Sequence, residues 1–238
     1  MRNYDFWDFH GHFLPGMDDG SQSVEESLQM LRAAKAQGIG KMVATPHYYS
    51  DETVDEFLAR RQASWQKLKP AIEAEKDLPQ IVLGAEVAYR QGLGHAEDLE
   101  KLCIGNSRCL LLELPFVTWD NMLFRDISAL ANVRGILPVI AHIDRYANLQ
   151  TNKNMQRLLQ QDVLIQMNAE AFLSWRSRGY GKAWLKNGLV HLLGSDCHNM
   201  TTRKPNLGEA VAYLDKCRMG GALVQVAQVS EDIFLQAT

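Results

Sequence analysis

The sequence predicts an α/β protein, a single distorted (β/α)7 TIM-like barrel with its active site at the C-terminal ends of the strands. Three observations lead there. Short apolar runs alternate with longer stretches of helical periodicity. Most of the runs are continuously apolar, such as Cys109-Leu110-Leu111-Leu112 and Pro138-Val139-Ile140-Ala141, which suits parallel strands buried on both faces. No Pro/Gly-rich linker, low-complexity tract or internal repeat interrupts the alternation, so residues 1–238 read as one domain. A doubly wound open sheet is the alternative, but the G-x-G-x-x-G of a nucleotide-binding turn does not follow the first strand.

Seven strands are expected, at 5–9, 41–45, 80–85, 109–114, 136–141, 163–167 and 189–194. The first helix opens at Ser23-Val24-Glu25-Glu26, a capping box in which Ser23 accepts from the third helical amide and Glu26 reaches back. Val24, Leu28, Leu31 and Ala34 give its apolar stripe, and Gly38 its left-handed stop. Residues 52–76 form a longer, more polar helical region with a break expected at Pro70. Further helices are expected at 121–133, 152–161, 183–187 and 207–216.

Composition narrows the function. Lys and Arg number 25 against 28 Asp and Glu, a net charge of −3, which speaks against a surface built to neutralise nucleic-acid phosphates. The start of the chain shows no signal-peptide pattern, and no window approaches a membrane-spanning length, so neither targeting nor membrane insertion is expected. Cys103, Cys109, Cys197 and Cys217 have no C-x-x-C spacing and read as reduced thiols of the cytoplasm.

The residues that carry chemistry fall at the ends of the apolar runs. The first strand places Asp8, His10 and His12 at alternate positions, which project to one face. Imidazoles so spaced can share a metal ion, with Asp8 placed to fix an imidazole tautomer. H-x-H by itself equally describes two turn histidines. Other strands add to it, ending Thr45-Pro46-His47, Gly84-Ala85-Glu86, Leu112-Glu113-Leu114, Ala141-His142-Ile143-Asp144-Arg145 and Gly194-Ser195-Asp196-Cys197-His198. Five of the seven histidines lie at such ends, and rim solvation does not account for the convergence. A polynuclear metal site is therefore expected, while His95 and His191 fall outside the pattern.

On these segments, together with Leu14-Pro15-Gly16-Met17-Asp18-Asp19-Gly20 and Asp144-Arg145-Tyr146, the chain resembles the PHP (polymerase and histidinol phosphatase) family. Within it, the chain is similar to the manganese-dependent tyrosine-protein phosphatases of bacterial capsule and exopolysaccharide operons. The matching segments run from residue 8 to about residue 209, in the family's order. The resemblance implies a trinuclear site. One metal takes His10, His12, Glu86 and Asp196; Glu86 bridges to a second, held also by Glu113 and His142; Asp19, His47 and His198 take the third. The donors are all nitrogen or oxygen, which suits manganese, with iron or zinc as alternatives. It also implies catalytic roles for Arg145, Arg203, Asp196 and His198, the two arginines on the phosphate, and a metal-activated water attacking phosphorus. The implied substrate is a phosphotyrosine protein, namely the tyrosine-rich tail of a bacterial tyrosine kinase that controls polysaccharide export. An oligomer is left open.

Two departures from the family pattern stand out: Asp144 replaces a glutamate, and Val229-Ser230-Glu231-Asp232-Ile233 lacks the Asn-Pro that opens the last helix. The second puts that helix in question. Tyr48, Tyr49 and Phe13 are candidates for the pocket mouth. Cys197 to Arg203 spells the C-x5-R of thiol phosphatases, but the intervening residues hold no glycine for a phosphate cradle, and Asp196 opposes thiolate formation. The rival readings are a histidinol-phosphatase-like phosphomonoesterase, a metal-dependent nuclease or amidohydrolase on a related barrel, and a non-catalytic metal-binding module. The set Asp19, His47 and His198 separates the phosphatase reading from the one- or two-metal nuclease and amidohydrolase barrels, and Asp18-Asp19-Gly20 with Ala141-His142-Ile143-Asp144-Arg145-Tyr146 favours the tyrosine-phosphatase branch over a histidinol phosphatase.

Overall fold

The computed structural model of the protein describes residues 6–238; Asp5, at the start of the first expected strand, and the rest of the chain's opening lie outside the described residues. The strands are β1 (Phe6–Gly11), β2 (Ile39–Ala44), β3 (His47–Tyr48), β4 (Gln80–Leu83), β5 (Glu86–Ala88), β6 (Cys109–Glu113), β7 (Leu137–Ile140), β8 (Leu164–Asn168) and β9 (Leu192–Gly194). All pair in parallel, in two sheets ordered β1-β2-β4 and β3-β5-β6-β7-β8-β9. The architecture is α/β with a curled parallel sheet.

Two of the expected runs are each split. β2 gives way to β3 at Thr45-Pro46, and β4 to β5 at Gly84-Ala85. Pro46 has no N–H for the ladder. The breaks lie side by side, with Ala44 paired to Leu83 below and His47 to Glu86 above. Backbone bonds span the gap: Gly84 N–H donates to the Ala44 carbonyl (2.8 Å) and Glu86 N–H to that of Pro46 (3.0 Å). At the other side, Asp196 N–H donates to the His10 carbonyl and His12 N–H to that of Cys197, both at 2.8 Å.

Strict alternation fails in β1. Its register against β2 shifts between Asp8 and Gly11. Such a bulge re-aims the following side chain. Phe9 therefore joins the inner apolar cluster with Trp7, Val43, Leu111, Val139 and Leu192, while His10 turns to the site. Asp8 meets no imidazole nitrogen. Its Oδ1 accepts from the backbone N–H of His10 (3.2 Å) and Ser195 (2.8 Å), tying β1 to the residues after β9.

The helices are α1 (Val24–Ala36), α2 (Val54–Ala74), α3 (Asn121–Asn132), α4 (Asn152–Leu159), α5 (Glu170–Leu173), α6 (Arg178–Lys186), α7 (Leu207–Lys216) and α8 (Gly220–Ala237). Ser23 caps α1, but the Glu26 carboxylate takes the N–H of Gln22 (3.0 Å), so only half of the expected box forms. The full box is at Thr53 and Glu56 of α2. α2 runs through Pro70 unbroken: the proline is exposed, while Phe57, Ser64 and Leu68 stay packed on the buried side. α8 is continuous through Val229 to Ile233 despite the missing Asn-Pro. Its Phe234 ring stands edge-on to Trp7 at 3.9 Å, with Lys41 Nζ 4.0 and 4.3 Å from the two rings. Ile233, Phe234 and Ala237 thus belong to the inner cluster, Phe234 against Trp7 on the strand segment preceding His10.

Candidate metal centre

The bends that end the strands bring nine side chains together. Glu86 is the hub: its Oε2 lies 3.1 Å from His10 Nε2, 3.3 Å from His12 Nε2 and 3.0 Å from His47 Nδ1, and its Oε1 lies 2.9 Å from His142 Nε2. Asp196 Oδ1 is 3.6 Å from His10 Nε2 and 3.7 Å from His12 Nε2. Glu113 is 3.3 Å from His142, and Asp19 is 3.5 Å from His47 and 3.3 Å from His198. By distance seven of the nine form three groups, His10, His12 and Glu86; His12, Asp19, His47 and His198; His47, Glu86 and Glu113, while His142 and Asp196 fall in none of them. His12 and His47 are thus shared between groups, where the family allotment gave each to one.

Local backbone explains the aim of several. His142 (φ 31°) and Asp196 (φ 55°) are both in the left-handed region, uncommon for residues other than glycine and recurrent where function holds a strained turn. The loop carrying Asp19 folds back on β1, and Gly20 passes so close that a Cβ there would stand 2.0 Å from the His12 carbonyl oxygen.

The tautomers are set from behind. His12 Nδ1–H donates to Asp18 Oδ2 (2.8 Å), and His198 Nδ1–H to the Asp196 carbonyl (3.0 Å). Each leaves Nε2 facing the site, the pattern of ligating imidazoles. Burial disfavours charge on His12, but hydrogen bonds to Asp18 and Glu86 raise its pKa to about 10. His142, also buried, is raised to about 9 by Glu113 and Glu86. Against its own burial, Glu86 is held well below the carboxylate range by His10, His12 and His142. His198 is lowered to about 4 by burial, then by His12 and Arg203.

The donor set fits divalent ions. Among the described residues, buried His47 Nδ1, Glu86 Oε2 and His198 Nε2 make no hydrogen bond of good geometry to each other or elsewhere, although His47 Nδ1 stands 3.0 Å from Glu86 and His198 Nε2 3.3 Å from Asp19. His10 Nε2 and His12 Nε2 face each other at 3.1 Å. Donors about 2.1 Å from one ion stand roughly 3.0–3.4 Å apart, close to the spacings found. A pocket that holds protons so firmly on two buried imidazoles is strongly negative, and a divalent cation answers the same field.

Both predicted arginines reach the cluster. Arg145 Nη2 donates to Asp196 Oδ2 and Arg203 Nη2 to Asp196 Oδ1 (2.6 Å); each side chain is about one-third exposed. Arg145 does not pair with Asp144, which accepts instead from the Asn168 N–H (3.0 Å). Burial, then Asp8, pushes the Cys197 thiol far above its usual range, so it carries no thiolate.

Of the mouth candidates, Phe13 is core, and Tyr48 is buried against Phe57. Tyr49, 49% exposed, stacks on His47 (5.4 Å), and Phe116, 47% exposed and unforeseen, stacks on His142 (5.9 Å). His95 is exposed, and His191 Nδ1 accepts from the Ile165 N–H (3.0 Å) away from the cluster. Sequence reasoning also missed Asp18, Gln166 and Asn168. The signal for the last two was a polar residue at alternate positions inside the apolar run Leu164-Ile165-Gln166-Met167-Asn168.

Comparison with known proteins agrees with this arrangement. The chain is similar to the tyrosine-protein phosphatase YwqE of Bacillus subtilis, 31% identical over 221 residues that cover 88% of this chain and 84% of that protein. To the tyrosine-protein phosphatase CpsB of Streptococcus agalactiae it is 29% identical over 226 residues, 89% of each. A solved structure from a study of YwqE and of Streptococcus pneumoniae CpsB, described as metal-dependent tyrosine phosphatases, superposes with a TM-score of 0.84 at 23% identity over 98% of this chain and 96% of that one. The fold is also like that of a Lactococcus lactis histidinol phosphate phosphatase, with a TM-score of 0.53 at 12% identity over 90% and 94%. With a family match running unbroken from residue 6 to residue 231, the chain belongs to the capsular polysaccharide synthesis CpsB/CapC family.

Proposed function

We propose that the protein is a metal-dependent protein-tyrosine phosphatase, a hydrolase of phosphoric monoesters that uses three divalent ions, manganese first among them. The observation that carries this is the gathering of Glu86 with eight other nitrogen and oxygen donors, with buried polar atoms unsatisfied, beside two arginines and two exposed aromatic rings. Relatives bearing the name tyrosine-protein phosphatase support the choice of substrate.

The ligands are His10, His12, Asp19, His47, Glu86, Glu113, His142, Asp196 and His198, with Glu86 shared. Four carboxylates against three divalent ions leave about two positive charges, which draws in a phosphate dianion on a chain whose net charge is negative. Ions held by these residues would supply an ionised water as nucleophile and neutralise the phosphoryl oxygens. Arg145 and Arg203 each use only Nη2 among the described contacts, so the rest of each fork is free to bind equatorial oxygens as charge builds. Tyr49 and Phe116 flank the entry and receive the phenyl ring by stacking. The leaving phenolate, with a pKa of about 10, needs less protonation than an alkyl alcohol.

The finer readings follow the same line. The two sheets form one distorted seven-staved barrel, the split strands counting as one stave each and the β1–β9 backbone bonds closing it. Residues 1–238 act as one domain. The phosphoprotein is the tyrosine-rich tail of a kinase that governs polysaccharide export. The four cysteines, all free, suit a cytoplasmic enzyme, and no described helix is long and apolar enough to cross a membrane.

The test is hydrolysis of a phosphotyrosine peptide, a phosphoserine peptide, histidinol phosphate and single-stranded DNA, with manganese and with chelator. Turnover of the phosphotyrosine peptide that chelator abolishes is expected; turnover of DNA alone overturns the reading. His142→Ala should lower bound metal and activity together, and unchanged metal content would refute the ligand assignment.

A further inference from the structure

With each split strand counted once, β8 is the one of seven whose end supplies none of the nine candidate ligands, yet its polar side chains Gln166 and Asn168 are buried, Gln166 completely and Asn168 to 4% exposure. Residues two apart on a strand share a face. Gln166 Oε1 lies 2.6 Å from the backbone nitrogen of His142 and 3.3 Å from His10 Nδ1. Gln166 Nε2 lies 3.0 Å from Asn168 Oδ1, and Asn168 Nδ2 lies 2.9 Å from Asp196 Oδ2.

The direction of this chain is fixed at both ends. A backbone N–H can only donate, so the oxygen of Gln166 must face His142. An ionised carboxylate can only accept, so the nitrogen of Asn168 must face Asp196. The Gln166-to-Asn168 bond is satisfied in one orientation, and neither amide can flip without breaking contacts on both sides. His10 Nδ1, opposite an acceptor, is therefore the protonated nitrogen, and its Nε2 lone pair faces Glu86 and His12.

Asp196 is set the same way. Asn168 and Arg145 hold Oδ2, leaving Oδ1 toward His10, His12 and Arg203. The bond to His142 N–H also pins a residue whose φ is +31°. Gly194 makes room for the chain: a Cβ there would stand 2.6 Å from His10 Cβ and 2.8 Å from Gln166 Nε2.

We propose that Gln166 and Asn168 are positioning residues, a one-way amide relay from the strand without ligands that sets the tautomer of His10, the turn at His142 and the rotamer of Asp196. One network so aligns ligands from three other segments of the chain before any ion arrives. The proposal rests on the metal-site reading above.

The experiment uses zinc-loaded protein, which is diamagnetic, and reads nitrogen-15 shifts of His10 together with zinc affinity by chelator competition. In the unaltered protein, His10 should carry its proton on Nδ1 and bind through Nε2; a proton on Nε2 overturns the relay, whatever the variants do. Gln166→Met, similar in length but unable to accept, should weaken zinc binding about 10–100-fold and remove the downfield Nδ1–H signal. Gln166→Glu keeps the acceptor for His10 and His142 but loses the donor to Asn168. It should preserve the His10 signal and, like Asn168→Ala, weaken zinc binding through Asp196 alone. A merely structural role predicts lower thermal stability in all three variants with His10 signal and zinc affinity unmoved, and that result refutes the proposal. Failure of the unaltered protein to bind zinc or manganese would instead refute the metal-site reading. Should Gln166→Met not fold, the unaltered protein and Gln166→Glu decide between these outcomes.

Discussion

Tyr49 and Phe116 hold their rings against imidazoles of the cluster while half of each stays in solvent. An exposed aromatic held this way offers a face to another ring, an interaction worth about 1 kcal/mol beyond simple burial. Phe116→Ala or Tyr49→Ala should therefore cost roughly fivefold in kcat/KM for a phosphotyrosine peptide, mainly through KM, and leave a small alkyl phosphate unaffected. Equal losses on both substrates would show that the rings support the imidazoles and do not select the substrate. Cys197 is the opposite case. It is fully buried, its thiol is held protonated by burial, and its C-x5-R spacing is coincidental. Cys197→Ser should keep metal-dependent activity while losing some stability, because a hydroxyl enters an apolar site. Loss of activity with metal content unchanged would restore a thiol mechanism.

At the scale of elements, β1 and α8 depend on each other. Trp7 and Phe9 of β1 enter the inner cluster, the register shift after Asp8 turns His10 to the site, and α8 covers Trp7 with Phe234. Phe234→Ala should remove about 3–5 kcal/mol of stability, read by denaturant titration. The remaining folded protein should keep its kcat, since Phe234 touches none of the nine donors; a kcat that falls in step would couple α8 to the site. Strand positions were legible because a strand buried on both faces has to be apolar throughout. α8 was not, because small and β-branched residues such as Ala222, Val224 and Val226 gave it no clear stop or start signal, and its helix is settled by packing on β1. The breaks after Ala44 and Leu83 escaped for a related reason: a strand and its kinked continuation have the same hydropathy.

For the whole molecule, the cluster couples stability to pH. His12 and His142 have folded pKa values of about 10 and about 9, above the roughly 6.5 of an unfolded histidine. Their contribution to stability is fully present below pH ~6.5 and is lost as pH rises through about 9 and 10. Glu86, with its pKa lowered, contributes stability above the unfolded carboxylate value that is lost in acid, and His198, lowered to about 4, favours unfolding as pH drops below ~6.5. Metal-free protein should therefore show a Tm maximum slightly below pH ~6.5 and a steady fall from there toward pH ~10. Manganese, which displaces those protons, should raise the Tm most on the alkaline side. A metal-free Tm that stays level from neutrality to pH ~10 would contradict the assigned charge states.

The order of chemistry along the chain is a property of the sequence alone. His, Glu or Asp follows one apolar run after another, and parallel strands of a curled sheet bring those ends to one place whatever the details of packing. The identity of the residues behind the candidate donors was decided by tertiary structure. Gln166 accepts from His142, 24 residues away in the chain, and from His10, 156 away, and Asp18 meets His12 only because a loop folds back past Gly20. Asp8 shows the limit most plainly: period-two alternation placed it among the imidazoles, whereas in a strand with register shifts on either side of it Asp8 meets the backbone N–H groups of His10 and Ser195. Sequence periodicity records which residues avoid water, whereas a bulge or a hydrogen bond between distant strands depends on a register that exists only once those strands have paired.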